Sequence, residues 1–561
     1  MIIKGGFVYD PTNGILGEEM DISIEDGKVV EKSEGKEVVD ARGMLVMPGG
    51  VDAHAHIAGA KVNCGRIMRP EDGRRGIEPR TKLLRPSTGY TVPNCYAMGY
   101  RYARLGYTTA FEAATPILES RHTHEELEEI PIVDKGALTL FGNNWEVLEC
   151  VRDGDLDKLA AFIAWGLRAS RGYGVKVVNP GGGEAWGFGG NVKGIDDPVP
   201  NFGVTPREII RYLMKANEIL RLPHSVHLHT NNLGKPGNYA TTLETLEAVK
   251  DINAACDRQA LHVTHMQFSA YGGTGWRDFE SKAPEIAEYF NRHDQFTMDM
   301  GQLIFGSATT MTADAPLEYG NARLLHAKWS NHDIELEESS GVVPLVYARK
   351  MPINAIQWAI GLELALLTKN PWQMIMTTDH PNGGPFVNYP EVVALLMSRE
   401  KRDEELKSLH ELASKRSSLP AIEREMDWNE IAIVTRAAPA KILGLAEKGH
   451  LGIGADGDVT VYNLNPAEVD PSKDHKKVKD ALAKTKYTIK GGEVVVRDGE
   501  ITAVPQGRTY WVDASAPVEH AARVQADLVE KFAKYYSIQM SNYMVQDAYV
   551  THPRVVKAGV I

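Results

Sequence analysis

Short polar patches that follow apolar, strand-like runs are the feature of this chain that most constrains its fold. Each run has the length and composition of a β-strand. Residues two apart in a strand point to the same side, so His54 and His56 are predicted to face one point from one strand end. In chain order, the five patches are residues 51–56, 174–178, 226–230, 261–265 and 375–380.

The middle of the chain alternates strands with helical patches such as residues 206–220 and 241–256. This alternation is typical of parallel α/β folds, and in α/β barrels the catalytic groups come from the carboxyl ends of several strands. We therefore predict a TIM-type (β/α)8 barrel. Its strands are expected near residues 46–56, 106–112, 136–142, 173–178, 224–230, 260–266, 295–300 and 373–379.

Both ends of the chain are rich in short strands instead. Turn pairs such as Asn13-Gly14 and Asp26-Gly27 separate strands within residues 1–47, and the same texture returns near residues 450–510. Chain ends often lie close together in a domain, so we predict one composite β-sandwich built from both ends. The predicted domains are residues 1–48 and 441–512 for the sandwich, 49–440 for the barrel, and 513–561 for a C-terminal helical tail.

Two predicted connections are long, residues 57–95 after the first barrel strand and 301–370 after the seventh. Long loops at the catalytic face are usually functional or bind partners. The amphipathic segment 518–536 either docks a partner subunit or packs on its own barrel. The first long loop contains the arginines Arg66, Arg69, Arg74, Arg75, Arg80 and Arg85, which either hold an anionic substrate tail or face solvent or a subunit.

Composition narrows the class of protein. The 43% apolar and 24% charged residues are typical of a soluble globular enzyme, and the net charge of −12 argues against nucleic acid as a partner. Four separated cysteines form no Cys-x2-Cys pair, which argues against an iron–sulfur cluster in this chain and fits a reducing cytoplasm. We expect no signal peptide and no membrane insertion, since the most apolar helix candidate, residues 353–367, is short and contains Glu363.

A single His-x-His pair carries little information, because the chain has 18 histidines and three such pairs. His122 and His124 lie in a polar stretch, which we interpret as a solvated helix start. His262 and His265 are three apart and cannot share one strand face, so His265, nearer the strand end, is the predicted ligand. The information is in the ordered set of strand-end residues.

That order resembles the amidohydrolase superfamily. Its pattern is His-x-His on the first barrel strand, a carboxylated lysine on the fourth, histidines on the fifth and sixth, and aspartate on the eighth. The resemblance covers residues 1 to about 508, and segments 48–63, 69–72 and 227–234 are more narrowly similar to the A subunits of formylmethanofuran dehydrogenases. The corresponding residues here are His54, His56, Lys176, His229, His265 and Asp379.

The resemblance implies two Zn²⁺ ions bridged by N6-carboxylysine at Lys176. An ammonium cannot bind a cation, but its reaction with CO2 gives an anionic carbamate, and Lys176 lies in an apolar strand where a charged amine is costly. By itself such a lysine is more often snorkelling or salt-bridged. Asp379 is the predicted catalytic residue, which accepts a proton from water and passes it to the leaving nitrogen; the alternative is a turn cap.

The remaining predicted site residues surround these ligands. His229 is preferred to His227 because His229-Thr230-Asn231 matches the family pattern of a ligand followed two residues later by a polar substrate contact. Asn231 and Arg69 are therefore predicted to bind substrate, and His227 and His262 to be hydrogen-bonded supporting histidines.

The function that the resemblance implies is condensation of formate with methanofuran to formylmethanofuran, and the reverse hydrolysis, in CO2 reduction and methanogenesis. It implies no redox cofactor in this chain, and partner subunits that carry a molybdenum or tungsten pterin and iron–sulfur clusters, with a channel for formate. Three alternatives stay open. They are a hydrolytic subunit of a formyltransferase/hydrolase complex, a stand-alone cyclic amidase of the dihydropyrimidinase or hydantoinase type, and a non-catalytic scaffold.

Overall fold

The structure is a computed structural model that describes residues 1–35, 37–334 and 336–559. The strands in these residues, in chain order, are β1 (Ile2–Asp10), β2 (Ile15–Glu25), β3 (Lys28–Val30), β4 (Val38–Asp40), β5 (Leu45–Pro48), β6 (Gly50–Ala55), β7 (Tyr107–Thr115), β8 (Asp134–Leu140), β9 (Gly174–Val178), β10 (Val226–His229), β11 (Leu261–Val263), β12 (Tyr271–Gly272), β13 (Glu280–Ser281), β14 (Phe296–Asp299), β15 (Gly306–Thr312), β16 (Ser330–Ile334), β17 (Glu338–Tyr347), β18 (Met374–Ile375), β19 (Val459–Tyr462), β20 (Tyr487–Lys490), β21 (Glu493–Arg497), β22 (Glu500–Ile501), β23 (Thr509–Ser515) and β24 (Pro553–Gly559).

The α-helices follow the same order. They are α1 (Ala60–Met68), α2 (Cys95–Leu105), α3 (Ser120–Glu129), α4 (Trp145–Arg152), α5 (Leu156–Ser170), α6 (Gly182–Gly187), α7 (Pro206–Ile219), α8 (Tyr239–Val249), α9 (Ala283–Phe290), α10 (Ala315–Leu325), α11 (Pro352–Leu367), α12 (Tyr389–Met397), α13 (Arg399–Ser408), α14 (Leu412–Lys415), α15 (Trp428–Ala432), α16 (Ala438–Leu443), α17 (His475–Ala483), α18 (Val518–Lys534) and α19 (Met540–Tyr543). In the described residues no helix combines the length and the apolar character that crossing a membrane requires.

Eight parallel strands form one curled sheet. They are β6, β7, β8, β9, β10, β11, β14 and β18. Its two ends meet where Ala55 pairs with His380 and the His56 amide donates to the His380 carbonyl at 2.6 Å. Every predicted barrel strand overlaps one of these strands. The predicted TIM-type barrel is therefore confirmed, and both chain ends contribute to a separate β-sheet domain where we predicted a composite β-sandwich.

Local sequence explains individual elements of the barrel wall. Helix α7 begins with a capping box, in which the Thr205 hydroxyl accepts from the Glu208 amide and the Glu208 carboxylate accepts from the Thr205 amide. Pro206 occupies the first helical position, where its missing N–H costs nothing. Apolar residues such as Ile209 and Leu213, four apart, then bury one face against the barrel.

A nine-stranded sheet joins both ends of the chain. Strand β5 pairs with β1 on one side and runs antiparallel to β19 on the other, so residues 2–48 and 459–501 share one sheet. Its apolar side chains form a core separate from that of the barrel, which includes Val8, Ile22 and Val459. The sheet therefore keeps the two chain ends together on one side of the barrel.

The C-terminal segment contains strands as well as helices. Strand β23 pairs parallel with β8 of the barrel, and β24 pairs parallel with β23. Helix α18 buries Val524, Leu528 and Phe532, and its Lys531 pairs with Glu146 and Glu149 on α4. The segment that we predicted to be a helical tail thus also extends the barrel sheet, and α18 packs on its own barrel.

The two long connections cover the carboxyl ends of the barrel strands. Residues 57–95 contain α1 and then mainly irregular chain. The connection after the seventh strand forms a three-stranded antiparallel sheet, β15, β17 and β16, flanked by α10 and α11. The end of the barrel where the predicted ligands lie is therefore enclosed.

Candidate metal centre

Three predicted ligands converge at the carboxyl end of the barrel. One donor atom from each of His54, His265 and Asp379 lies within 4.8 Å of the others, and all three residues are buried. Nε2 of His54 is 3.1 Å from Oδ1 of Asp379, and Nε2 of His56 is 3.6 Å from the same oxygen. Neighbouring ligand atoms of a tetrahedral zinc ion with bonds of about 2.0–2.1 Å lie roughly 3.3 Å apart. The observed spacing fits such an ion.

The hydrogen bonds of these atoms give an independent test of that fit. Oδ1 of Asp379 and Nδ1 of His265 are buried and have no hydrogen-bond partner within the described residues. Buried polar atoms without partners are uncommon and costly in folded proteins. Histidine nitrogens and carboxylate oxygens are donor types that zinc binds, and these unpartnered atoms therefore fit a metal.

The backbone at two of these residues is unusual. His265 has a φ of 38° and Asp379 a φ of 49°, both in the left-handed region that side-chain-bearing residues seldom adopt. His265 lies just beyond the end of the short barrel strand β11, and Asp379 lies a few residues beyond the end of β18. Such strain is tolerated where the surrounding structure fixes it, and it concentrates at functional sites.

Lys176 is buried in β9 and lines the same cavity as the histidines. Its Nζ donates to the Thr264 hydroxyl at 3.2 Å. Burial lowers the pKa of Lys176 to about 8, although the charges of Asp379 and Asp299 act in the opposite direction. About a tenth of the amine is therefore neutral at pH 7, and the neutral amine is the form that reacts with CO2.

The two histidines of β10 lie in different surroundings. His229 lines the cavity, its ring centre is 4.8 Å from that of His265, and its Nε2 is 3.1 Å from Oδ2 of Asp314. His227 lies deeper, next to the His262 ring at 4.8 Å, and neither of its ring nitrogens has a partner in the described part of the chain. The structure brings His229, rather than His227, to the cavity, and the described residues give His227 no hydrogen bond, contrary to our prediction for it.

His262 and His265 also differ. Nδ1 of His262 is 2.9 Å from the Thr297 hydroxyl, and its Nε2 is 3.0 Å from Oδ2 of Asp299. Both ring nitrogens of His262 are thus engaged, while Nδ1 of His265 has no partner among the residues that the structure describes. The assignment of His265 as ligand and of His262 as support stays a prediction that agrees with these contacts.

Asp379 is buried beside His54 and His56. Burial raises the pKa of Asp379 to about 7, although His56 and a hydrogen bond from the Asn382 amide group at 2.9 Å act to lower it. A carboxyl group that titrates near neutral pH can both accept and return a proton. This behaviour is what the predicted catalytic role requires.

Asn231 and Arg69 lie outside the lining of the cavity. The Asn231 amide group donates to Oδ1 of Asn179 at 2.9 Å and to the Pro180 carbonyl at 3.0 Å. The Arg69 guanidinium donates to the backbone carbonyls of Ala308 and Leu345, so it ties the first long loop to β15 and β17. These contacts are structural, and the predicted contacts of both residues with substrate stay predictions.

Sequence reasoning missed acidic residues that hold the histidines in place. Oε1 of Glu112, in the second half of β7, is 3.1 Å from Nδ1 of His56, and its Oε2 accepts from the Ile57 and Ala58 amides at 2.7 and 3.0 Å. Burial opposes ionisation of Glu112, but the hydrogen bond from His56 and its charge bring the pKa below its usual value. Carboxylates of this kind orient metal-bound histidines.

Asp299, at the end of β14, supports the centre from the opposite side. It contacts His262, accepts from the Thr377 hydroxyl at 2.6 Å, and lies 3.7 Å from Nδ1 of His54. Burial opposes its ionisation, but the charges of His54 and His262 lower its pKa to about 2. The sequence signal that could have identified both acids is their position near the end of a predicted barrel strand. Glu112 ends the strand predicted at 106–112, and Asp299 lies near the end of the one predicted at 295–300.

The centre opens into a cavity of about 290 Å³. Its polar lining includes His54, His56, Lys176, His229, His265 and Asp379. The rest of the lining is largely apolar and aromatic, including Phe268, Tyr271, Trp276, Leu324, Leu345 and Met351. Such a cavity suits an organic substrate that presents one polar group to the histidines.

Comparison with known proteins agrees with this geometry. The amidohydrolase family profile matches residues 37–496. Protein FwdA of Methanocaldococcus jannaschii is 52% identical over 563 aligned positions, covering 99% of this chain and 98% of its own. The A subunit of the formyltransferase/hydrolase complex Fhc of Methylorubrum extorquens is 37% identical over 540 positions, covering 94% of each chain.

A solved structure extends the match to three dimensions. The X-ray structure of the formyltransferase/hydrolase complex FhcABCD from Methylorubrum extorquens with methylofuran contains a chain that matches at a TM-score of 0.90. That match has 36% identity and covers 100% of both chains. The chain therefore belongs to the amidohydrolase family.

Proposed function

We propose that this protein makes and hydrolyses the formamide C–N bond of formylmethanofuran, within a multisubunit formylmethanofuran dehydrogenase. The observation that carries the proposal is the convergence of His54, His56, His265 and Asp379 beside buried Lys176, at the base of an apolar cavity. The near full-length similarity to FwdA and to the corresponding Fhc protein supports the choice of substrate.

Two Zn²⁺ ions are proposed for the centre, held by His54, His56, His229, His265 and Asp379, with Lys176 as a bridging N6-carboxylysine. Nitrogen and oxygen donors of this kind suit zinc. When bound, the ions supply Lewis acidity for the carbonyl oxygen and lower the pKa of the attacking water to about 7. Glu112 and Asp299 would fix the orientation of the histidine rings.

The chain's own proton carrier is Asp379. In hydrolysis, water adds to the formyl carbon, Asp379 takes up its proton, and it then donates that proton to the nitrogen as the C–N bond breaks. The products are the amine and formate. By microscopic reversibility, the same residue serves condensation when the amine attacks formic acid and water leaves.

The partners in the proposal follow from the relatives. The solved FhcABCD assembly binds methylofuran, which supports methanofuran as the corresponding ligand here. We propose that the reduction of CO2 takes place on partner subunits that carry the molybdenum or tungsten pterin and iron–sulfur clusters. In that arrangement this chain needs no redox cofactor, because formamide formation from formate and an amine transfers no electrons.

Assays in both directions test the proposal. The protein, in the assembly with which it co-purifies, should hydrolyse formylmethanofuran and should form it from formate and methanofuran. Hydrolysis of ring amides by the isolated chain, without action on formylmethanofuran, would instead support a cyclic amidase. Hydrolysis without any measurable condensation would favour a hydrolytic subunit of a formyltransferase/hydrolase complex. The 36% identical chain belongs to a complex of that kind.

A further inference from the structure

A buried glutamate shares the cavity with the candidate metal centre. Glu318 lies in the first turn of α10, is fully buried and lines the cavity together with His229 and Asp379. Gly341 on β17 permits this close packing, since a methyl group there would lie 2.6 Å from the Glu318 Cβ. The mechanism above gives this carboxyl group no role.

The two carboxyl oxygens of Glu318 have different surroundings. Oε2 is 2.8 Å from the Thr310 hydroxyl and 3.4 Å from the Asn321 amide nitrogen. Oε1 is buried and has no hydrogen-bond partner among the residues that the structure describes. An acceptor left in this way costs free energy unless a ligand supplies the missing donor.

Thr310 shows how a proton on Glu318 can be held. Its hydroxyl is also 3.1 Å from the Val343 carbonyl, which can only accept. A hydroxyl has one hydrogen to donate. If Thr310 donates to Val343, its oxygen is free to accept from a protonated Oε2, and Oε1 is left as a carbonyl-type acceptor.

Electrostatics favour the protonated form. Burial raises the pKa of Glu318 to about 8, and the charges of Asp314 and Asp379 act in the same direction. Hydrogen bonds donated to Glu318 lower it, but the one from Thr310 is lost when that hydroxyl donates to Val343 instead. On β17, the neighbouring titratable group is the phenol of Tyr347, whose pKa is raised by burial first and also by Glu318. The carboxyl group is therefore mainly neutral at neutral pH.

We propose that Glu318 determines substrate specificity in the proposed reaction: as a neutral acid held by Thr310, it accepts a hydrogen bond at Oε1 from the N–H group of the formamide substrate. A secondary formamide has one such hydrogen, and a tertiary formamide has none. A buried site built to pair with a substrate N–H discriminates strongly against analogues that lack it. The inference rests on the proposed function.

Two substitutions at Glu318 separate a neutral acceptor from an ionised carboxylate. In Glu318→Gln, the amide oxygen can accept in place of Oε1 and the NH2 group can donate to Thr310 in place of the acid proton. This variant should keep KM within about 2-fold of wild type. The test substrate is N-formylfurfurylamine, a small secondary formamide used in place of formylmethanofuran. Glu318→Leu removes the acceptor and should raise KM for this substrate about 5- to 10-fold with a smaller change in kcat.

Thr310→Val provides a second variant of nearly unchanged shape. It removes the hydroxyl that holds Oε2 and should raise KM in the same way as Glu318→Leu, which keeps the proposal testable if the leucine variant unfolds.

The N-methyl derivative of N-formylfurfurylamine, a tertiary formamide, should be a poor substrate for wild type. The preference for the secondary formamide should shrink in Glu318→Leu. As a control, Glu338→Leu removes a buried glutamate that bonds to Asn143 outside the cavity lining, and should lower stability without changing KM.

Three results would overturn the inference. They are a wild-type KM in Glu318→Leu, a wild-type KM in Thr310→Val, or a Glu318→Gln variant as impaired as Glu318→Leu, which would mean that the charged carboxylate is needed. These failures are distinct from failure of the proposed function, because in the latter case wild type itself would hydrolyse neither N-formylfurfurylamine nor formylmethanofuran.

Discussion

At the scale of single residues, the sequence predicts the histidines and the aspartate that converge at the site better than the acidic groups that contact the histidines. His54, His56 and Asp379 can be predicted because each follows a strand and all fit one ordered pattern. Glu112 and Asp299 support them from β7 and β14, at sequence distances of 56 from His56 and 37 from His262. A supporting carboxylate has no motif of its own, so only the folded barrel shows which strand-end acid meets which histidine.

Lys176→Ala should release metal and abolish activity, because the proposed bridge between the ions is lost. Acetate or formate, as small carboxylates, should partly restore both, and metal analysis with and without the added acid measures this. The matched control is Lys135→Met, since Lys135 is another buried strand lysine whose pKa is lowered to about 8 by burial, and its Nζ donates to the Ile130 carbonyl. Full activity in Lys176→Arg would refute the bridge, because a guanidinium cannot form this carbamate.

Asp379→Asn separates proton transfer from a purely structural role. A lost turn cap would cost about 1 kcal/mol of stability with near-normal turnover. Loss of the proton carrier should instead reduce turnover at least about 100-fold in variant protein that is folded and loaded with metal. The measurement is the rate of formylmethanofuran hydrolysis by folded, metal-loaded variant protein, and a near-normal rate would rule out the catalytic assignment.

At the scale of elements, periodicity and turn signals place the barrel strands but not their remote partners. Strand β23 begins at Thr509 and continues to Ser515, across the predicted border between the β-sandwich and the tail. It pairs with β8, whose paired residues Lys135 and Gly136 lie more than 370 positions earlier. A local pattern can show that a segment is extended, but it carries no information about the strand that it will join.

Helix α18 tests whether the C-terminal segment stabilises the barrel. Leu528→Ala removes a side chain that is only 2% exposed, and should lower the free energy of unfolding by about 2–5 kcal/mol. Val529→Ala, on the exposed side of the same helix at 55% exposure, should change it by less than about 0.5 kcal/mol. Urea unfolding of both variants measures the difference. Equal stability of the two would mean that α18 is not held on the barrel in solution.

At the scale of the whole molecule, a buried ionic network connects the β-sheet domain with the barrel. Asp134 on β8 and Asp458 next to β19 share Lys490, whose Nζ is 2.7 and 2.9 Å from their carboxylates, and Lys448 contacts both. Burial alone would raise the pKa of Asp134, but Lys448, Lys490 and Arg508 together hold it well below its usual value. The contact between the β-sheet domain and the barrel thus depends on charges that no sequence motif predicts.

The pH dependence of stability follows from this network. Because the pKa of Asp134 is lowered in the folded state, its contribution is fully present above its unfolded pKa of about 3.9 and is lost as the pH falls below that value. Asp134→Asn should lower the melting temperature at pH 7, where breaking a buried pair costs about 3–5 kcal/mol, but should flatten the decline of the melting temperature below about pH 4. An unchanged slope in the variant would show that Asp134 does not contribute to acid sensitivity.

The central claim is that this chain cleaves and forms a formamide bond at a metal centre held by its barrel histidines. The most direct test is the rate of formylmethanofuran hydrolysis by the purified assembly before chelation, after chelation, and after Zn²⁺ is added back, with metal content measured at each stage. We predict about two zinc ions per chain, loss of hydrolysis with loss of metal, and recovery on addition of zinc. Full hydrolytic activity in metal-free protein would contradict the account.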